Sequence, residues 1–177
     1  MFDERRRTVL LGLTLLIFLV LSYFENVIFF RTLGTLFQNQ LLAFLMIFIH
    51  NIIVISLILL AMTFYVNLVV LNFFKREKYA YVVLEHPRTF ATIFTIIIIF
   101  VSILRGSTLI AGGTSLEALP TILLVSAPIG IIEGYGIYLT IKKTLSRTLS
   151  IKDLTYIYGI FFAAALIEVG FINLLNM

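Results

Sequence analysis

The sequence predicts an all-α fold: a polytopic transmembrane helix bundle of about five spanning helices plus one re-entrant or interfacial helix. Three observations predict it. Hydrophobic residues make up 61% of the 177 and charged residues only 12%, against roughly 45–50% and about 25% in soluble domains. Several apolar stretches reach the roughly 20 residues that cross a hydrocarbon core. Finally, the basic residues fall in short clusters between those stretches.

The spans follow in order along a single transmembrane domain, 1–177. The first is expected over 8–24, after Arg5-Arg6-Arg7. It is longer than a signal-peptide core and lacks a small-residue cleavage site, so it reads as a retained span. The run Leu41 to Phe74 is too long for one simple span, and His50-Asn51 interrupts it. The second span is therefore placed at 52–73, with 33–50 as an amphipathic or re-entrant segment. The third is expected over 89–104, the fourth over 120–141 and the fifth over 154–173. Pro120 suits a first helical turn, where its missing N–H costs nothing. His86-Pro87-Arg88 reads as the entry to the third span.

Lys and Arg accumulate in cytoplasmic loops. With the N-terminus inside, Arg5, Arg6, Arg7, Lys75, Arg76, Lys78, Arg88, Lys142, Lys143, Arg147 and Lys152 fall inside, while Arg31 and Arg105 fall outside. The expected topology is a multi-pass protein of the cell membrane, N-terminus cytoplasmic and C-terminus outside. The net charge of +4 is thus topogenic, with no nucleic-acid footprint. The absence of cysteine excludes disulfides, thiol catalysis and Cys-ligated metals.

An ionisable side chain within a bilayer is costly, about 2.5–3.5 kcal/mol on insertion scales, and is a functional hypothesis by default. Glu133 is the clearest case. It lies about 13 Å along the helix from Lys142, in a stretch containing Pro128, Gly130, Gly134 and Gly136. Pro128 permits a kink, and Gly130–Gly134 has the spacing of tight helix packing. Glu133 reads either as a proton- or cation-responsive carboxyl or as a protonated group bonding a neighbouring helix. Glu168 and Arg105 share a depth near the outer face, so an Arg105–Glu168 ion pair is expected. His50-Asn51 is expected at the outer boundary, with His50 hydrogen-bonded by loop backbone. The alternative joins His50 to Glu168 and Glu117 in a metal or proton site. Asn67 and Asn72 are expected to bond other helices, and Tyr135, Tyr138, Tyr156 and Tyr158 to serve as belt or packing residues. The chain carries no GxSxG, HExxH or P-loop signature, so no catalytic residue, metal ligand set or cofactor is assigned.

Three segments carry a resemblance. Phe48-Ile49-His50-Asn51 resembles the F-x-x-N opening of a core helix in stage II sporulation protein M-like membrane proteins. Ala127-Pro128-Ile129-Gly130-Ile131-Ile132-Glu133 is similar to that family's Pro-His-Gly-x-x-Glu motif, with Ile129 in place of its His. Ala163-Ala164-Ala165-Leu166-Ile167-Glu168 is similar to its Ala-Ala-x-x-Glu ending. Order and spacing agree over 36–172. The resemblance implies a helical bundle of five or six spans that serves as an anchor or assembly component of a membrane complex. The isoleucine-rich, cysteine-free composition would suit an archaeal member. Expected partners are the bilayer and either copies of itself or other membrane proteins. A transporter or permease-like subunit built around Glu133 is the alternative, and an intramembrane enzyme using Glu133 or Glu168 as base is a third reading.

Overall fold

The computed structural model describes residues 4–36, 39–71, 81–110 and 119–175. These form α1 (Glu4–Leu36), α2 (Gln40–Val70), the single turn α3 (Val82–Glu85), α4 (Pro87–Ile110), α5 (Leu119–Leu145) and α6 (Ile151–Leu175), with no strand among them. Among the described residues, three helical stretches are long and apolar enough to cross a membrane: Arg6–Glu25, Gln40–Val70 and Ile151–Phe171. A shorter apolar stretch covers Pro87–Ser102.

Local signals explain the helix ends. The Asn39 side chain accepts a hydrogen bond from the Leu42 N–H at 3.2 Å and starts α2, as an N-cap does. At the start of α6, Ser150 and Asp153 bond reciprocally. The Ser150 N–H donates to Asp153 at 3.0 Å, and the Asp153 N–H donates to the Ser150 hydroxyl at 3.2 Å, completing a capping box. The C-terminus of α5 closes with the Thr148 N–H on the Lys143 carbonyl and the Arg147 N–H on that of Thr144, both 3.0 Å. This Schellman pattern places Arg147 in the left-handed region, φ 55°, where glycine is usual.

The expected break at His50-Asn51 between the 33–50 segment and the second span is not seen. α1 continues to Leu36, and α2 passes through His50-Asn51 as one unbroken helix. The reason is lateral. Both polar side chains find partners on neighbouring helices, described below, so the backbone has no need to open to satisfy them.

α2, α5 and α6 pack against one another; α1 lies along α2, and α4 along α5. Paired residues give the directions. Glu25 meets His50 while Gly12 meets Phe64, so α1 and α2 are antiparallel. Gly136 meets Phe161 while Lys143 meets Asp153 at 3.2 Å, so α5 and α6 are too. α2 contributes Ile55 and Val66 to the main core, α4 Ala91, α5 Ile137, Ile141 and Leu145, and α6 Ile157 and Phe161. A smaller cluster around Ile47 and Ala165 adds Phe44 and Phe48, each meeting Phe162 edge-on.

α1 has the polarity of a membrane helix. Thr8 and Ser22 are buried, while Val9, Leu13, Leu16, Ile17, Val20 and Phe24 are more than half exposed. Small or polar residues face protein and aliphatic ones face outward, as expected where lipid supplies the apolar solvent.

The glycines correct one expectation. A Cβ at Gly134 would come within 2.6 Å of Ile99, and one at Gly136 would overlap the Phe161 ring, whereas one at Gly130 would meet nothing within 4 Å. Close approach is therefore made at Gly134 toward α4 and at Gly136 toward α6. Gly130–Gly134 has the spacing of a packing motif, but Gly130 faces away from any described neighbour. Pro128 lies inside an unbroken α5.

Candidate polar layer within the helix bundle

Helical periodicity puts His50 and Asn51 about 100° apart on α2. One faces α1 and the other α5. The Asn51 amide, on a residue only 8% exposed, donates to Glu133 Oε1 at 2.8 Å. A buried carboxyl is thus met by a donor on a different helix, the condition for keeping a polar group inside a bundle.

Glu168 joins them from α6. The pairing of Gly136 with Phe161 puts Glu133 level with about Ala164, so Glu168 lies four residues, about 6 Å, further along the axis. Side chains lean toward their own helix N-terminus. Because α5 and α6 are antiparallel, the two carboxyls lean toward each other. Ala164 and Ala165, fully buried, let α6 approach closely beneath the pair. The side chain of Arg105 lies outside the described residues, so the expected Arg105–Glu168 pair does too, and α4 packs chiefly along α5. Glu117 also lies outside them.

His50 has a partner on α1. Its Nδ1 lies 3.0 and 3.2 Å from the two carboxylate oxygens of Glu25. The expected first span, 8–24, stops one residue short of Glu25. A signal was present: Glu25 lies 11 residues before the end of α1 and His50 10 residues after the start of α2, so an antiparallel pair brings them to one level. Asn67 departs from expectation, its amide bonding the Thr63 carbonyl of its own helix at 2.7 Å. Asn72 lies outside the described residues.

Further along α2, the Ser56 hydroxyl and Tyr158 OH lie 3.4 Å apart. Tyr138 carries the Lys142 ammonium over its ring at 5.5 Å, while Tyr135 and Tyr156 are exposed. Thr95, buried beside Gly134, has no hydrogen-bond partner for its hydroxyl among the described residues. No group of three or more His, Asp or Glu among the described residues is arranged to hold a metal ion.

The result is a polar layer across four helices: Glu25 on α1, His50 and Asn51 on α2, Glu133 on α5 and Glu168 on α6. Beyond it, toward the α5–α6 turn, the aliphatic core of Ile55, Ile137, Ile141, Ile157 and Phe161 fills the bundle. Chemically, the layer offers two carboxyls able to take up or release protons, an amide that orients one of them, and a separate His–Glu pair. In comparisons with protein-family models, curated proteins and solved structures, nothing matches the chain.

Proposed function

We propose that the chain is a membrane-embedded transporter or permease-like subunit that handles a proton or a small cation at Glu133. One observation carries the reading: Glu133, inside the bundle, is held by Asn51 of α2 at 2.8 Å, with Glu168 of α6 about one helical turn further along and leaning toward it. Two carboxylates so placed repel, and a proton or small cation between them relieves the repulsion. A purely structural staple would need one carboxyl and one donor. The second carboxyl favours exchange.

The antiparallel α1–α2 and α5–α6 pairs support helices that alternate across a bilayer, and the Lys and Arg bias of the loops favours five spans with the N-terminus inside. In that topology the layer lies in the outer half, and the aliphatic core separates it from the cytoplasm.

The test is flux into liposomes containing the full chain, with a pH-sensitive dye and a cation-sensitive dye inside. Glu133→Gln keeps an acceptor oxygen for Asn51 and removes the ionisable group. It is expected to abolish flux while leaving the fold intact; unchanged flux would end the proposal.

The second reading is an anchor or assembly component, the role the stage II sporulation protein M-like resemblance implies. It is favoured by the face of α5 that carries Ala127, Pro128, Ile131 and Tyr135, all exposed, beside the open space at Gly130. Crosslinking in native membranes should then trap an oligomer or a partner complex, and a persistent monomer without partners would rule it out.

A further inference from the structure

We infer that the end of the bundle formed by the α5–α6 turn and the start of α4 binds the phosphate headgroups of anionic phospholipids. The residues that would hold them are Arg88, Lys142, Arg147 and Lys152.

The convergence comes from the packing. Thr95 and Ile99 of α4 face Gly134 of α5. α4 also places Ala91 in one core cluster with Ile137, Ile141 and Leu145, so the start of α4 lies toward the C-terminal end of α5; Arg88 is seven residues before Thr95 and Lys142 eight after Gly134. The Schellman turn adds Arg147, and the first turn of α6 adds Lys152. Arg88, Arg147 and Lys152 are exposed. Lys142 lies over the Tyr138 ring, one turn back along α5, at 5.5 Å.

Among the described residues, none of these four cations forms an ion pair, and Lys142 meets only the Tyr138 ring. At this end, the ion pairs among the described residues reduce to Lys143–Asp153 at 3.2 Å, and that Asp153 is also held by the Ser150 cap. Glu85, exposed on α3, is the one further carboxylate nearby with a described side chain. A charge that acts only during insertion needs no fixed arrangement. Here four cations from α4, α5, the turn and α6 are fixed around one rim by packed helices. A lipid phosphate suits them, because guanidinium groups bind phosphate oxygens bidentately and ammonium groups add point charge.

The test uses the full chain in dodecylmaltoside micelles, titrated with phosphatidylglycerol or with phosphatidylcholine, and native mass spectrometry to count retained lipid. Phosphatidylglycerol is expected to bind at least about tenfold more tightly, with the preference falling as sodium chloride rises. Each neutralised cation should cost about fivefold in affinity, so the combined Arg88→Gln, Lys142→Gln, Arg147→Gln, Lys152→Gln variant should lose the preference entirely. A charge-conserving Arg88→Lys, Lys142→Arg variant should keep it. Equal binding of the two lipids by the unaltered chain overturns the proposal whether or not the variant folds. So does a preference that survives in the folded, neutralised variant. Displacement of phosphatidylglycerol by inorganic phosphate at equal concentration would identify a free anion as the ligand and also overturn it.

Discussion

Removing the Asn51 amide tests the centre of the polar layer. Asn51→Ala deletes the donor that reaches Glu133 Oε1 at 2.8 Å and leaves that carboxyl without the donor that meets it. Interhelical hydrogen bonds within membranes contribute about 0.6 kcal/mol on average and up to about 1.7. Leaving a buried acceptor unpaired adds about 1–3 kcal/mol. Alanine recovers roughly 0.5 kcal/mol in helix propensity. The expected net loss is about 1–4 kcal/mol. The assay is reversible unfolding in mixed micelles, followed by helicity, for Asn51→Ala, Glu133→Ala and the double variant. Contact between the two side chains predicts a coupling of about 0.6–1.7 kcal/mol, whereas independent sites add within about 0.3–0.5. Coupling inside that smaller range would refute the placement of Glu133 against α2. Glu133→Gln should keep most of the coupling, since its carbonyl oxygen still accepts from Asn51, while losing flux. That pair of results separates the structural bond from the ionisable function.

Other outcomes follow from the same geometry. Gly136→Ala drives a methyl into the Phe161 ring and should cost about 1–3 kcal/mol of stability, whereas Gly130→Ala meets open space and should be neutral or stabilising by up to about 1 kcal/mol. A reversed order in micelle unfolding would contradict the packing of α5. Arg147→Gly relieves a left-handed residue, φ 55°, and should stabilise the α5–α6 turn by about 1 kcal/mol; a lowered unfolding midpoint would argue against the Schellman turn. Glu25→Ala removes the carboxylate held by His50 at 3.0 Å. Because α1 rests chiefly on α2, amide exchange should quicken in α1 and stay unchanged in α5 and α6; uniform acceleration would show that α1 is integral to the core.

Much of the fold was readable because lipid imposes simple rules. Helices must satisfy their own backbones in an apolar solvent, so length and hydropathy alone marked the α1, α2 and α6 regions. Asn39, Ser150 and Asp153 stand where helices start, as their capping chemistry requires. The site was half readable. Glu133, Glu168, His50 and Asn51 stood out as polar residues in apolar runs, and that signal depends on depth alone.

Depth says nothing of which way a side chain points around its helix. The sequence alone determined that this chain is helical and suited to a membrane, and that Glu133 and Asn51 are anomalous there. Only the tertiary structure decided that Asn51 bonds Glu133, that Glu25 meets His50, and that Gly136 rather than Gly130 makes the close approach. The physical reason is that hydropathy sums along the chain, whereas a hydrogen bond or a steric overlap is set by the register and rotation of two helices. Helix register also let α2 run unbroken through His50-Asn51, since side-chain partners on α1 and α5 removed the reason for a break.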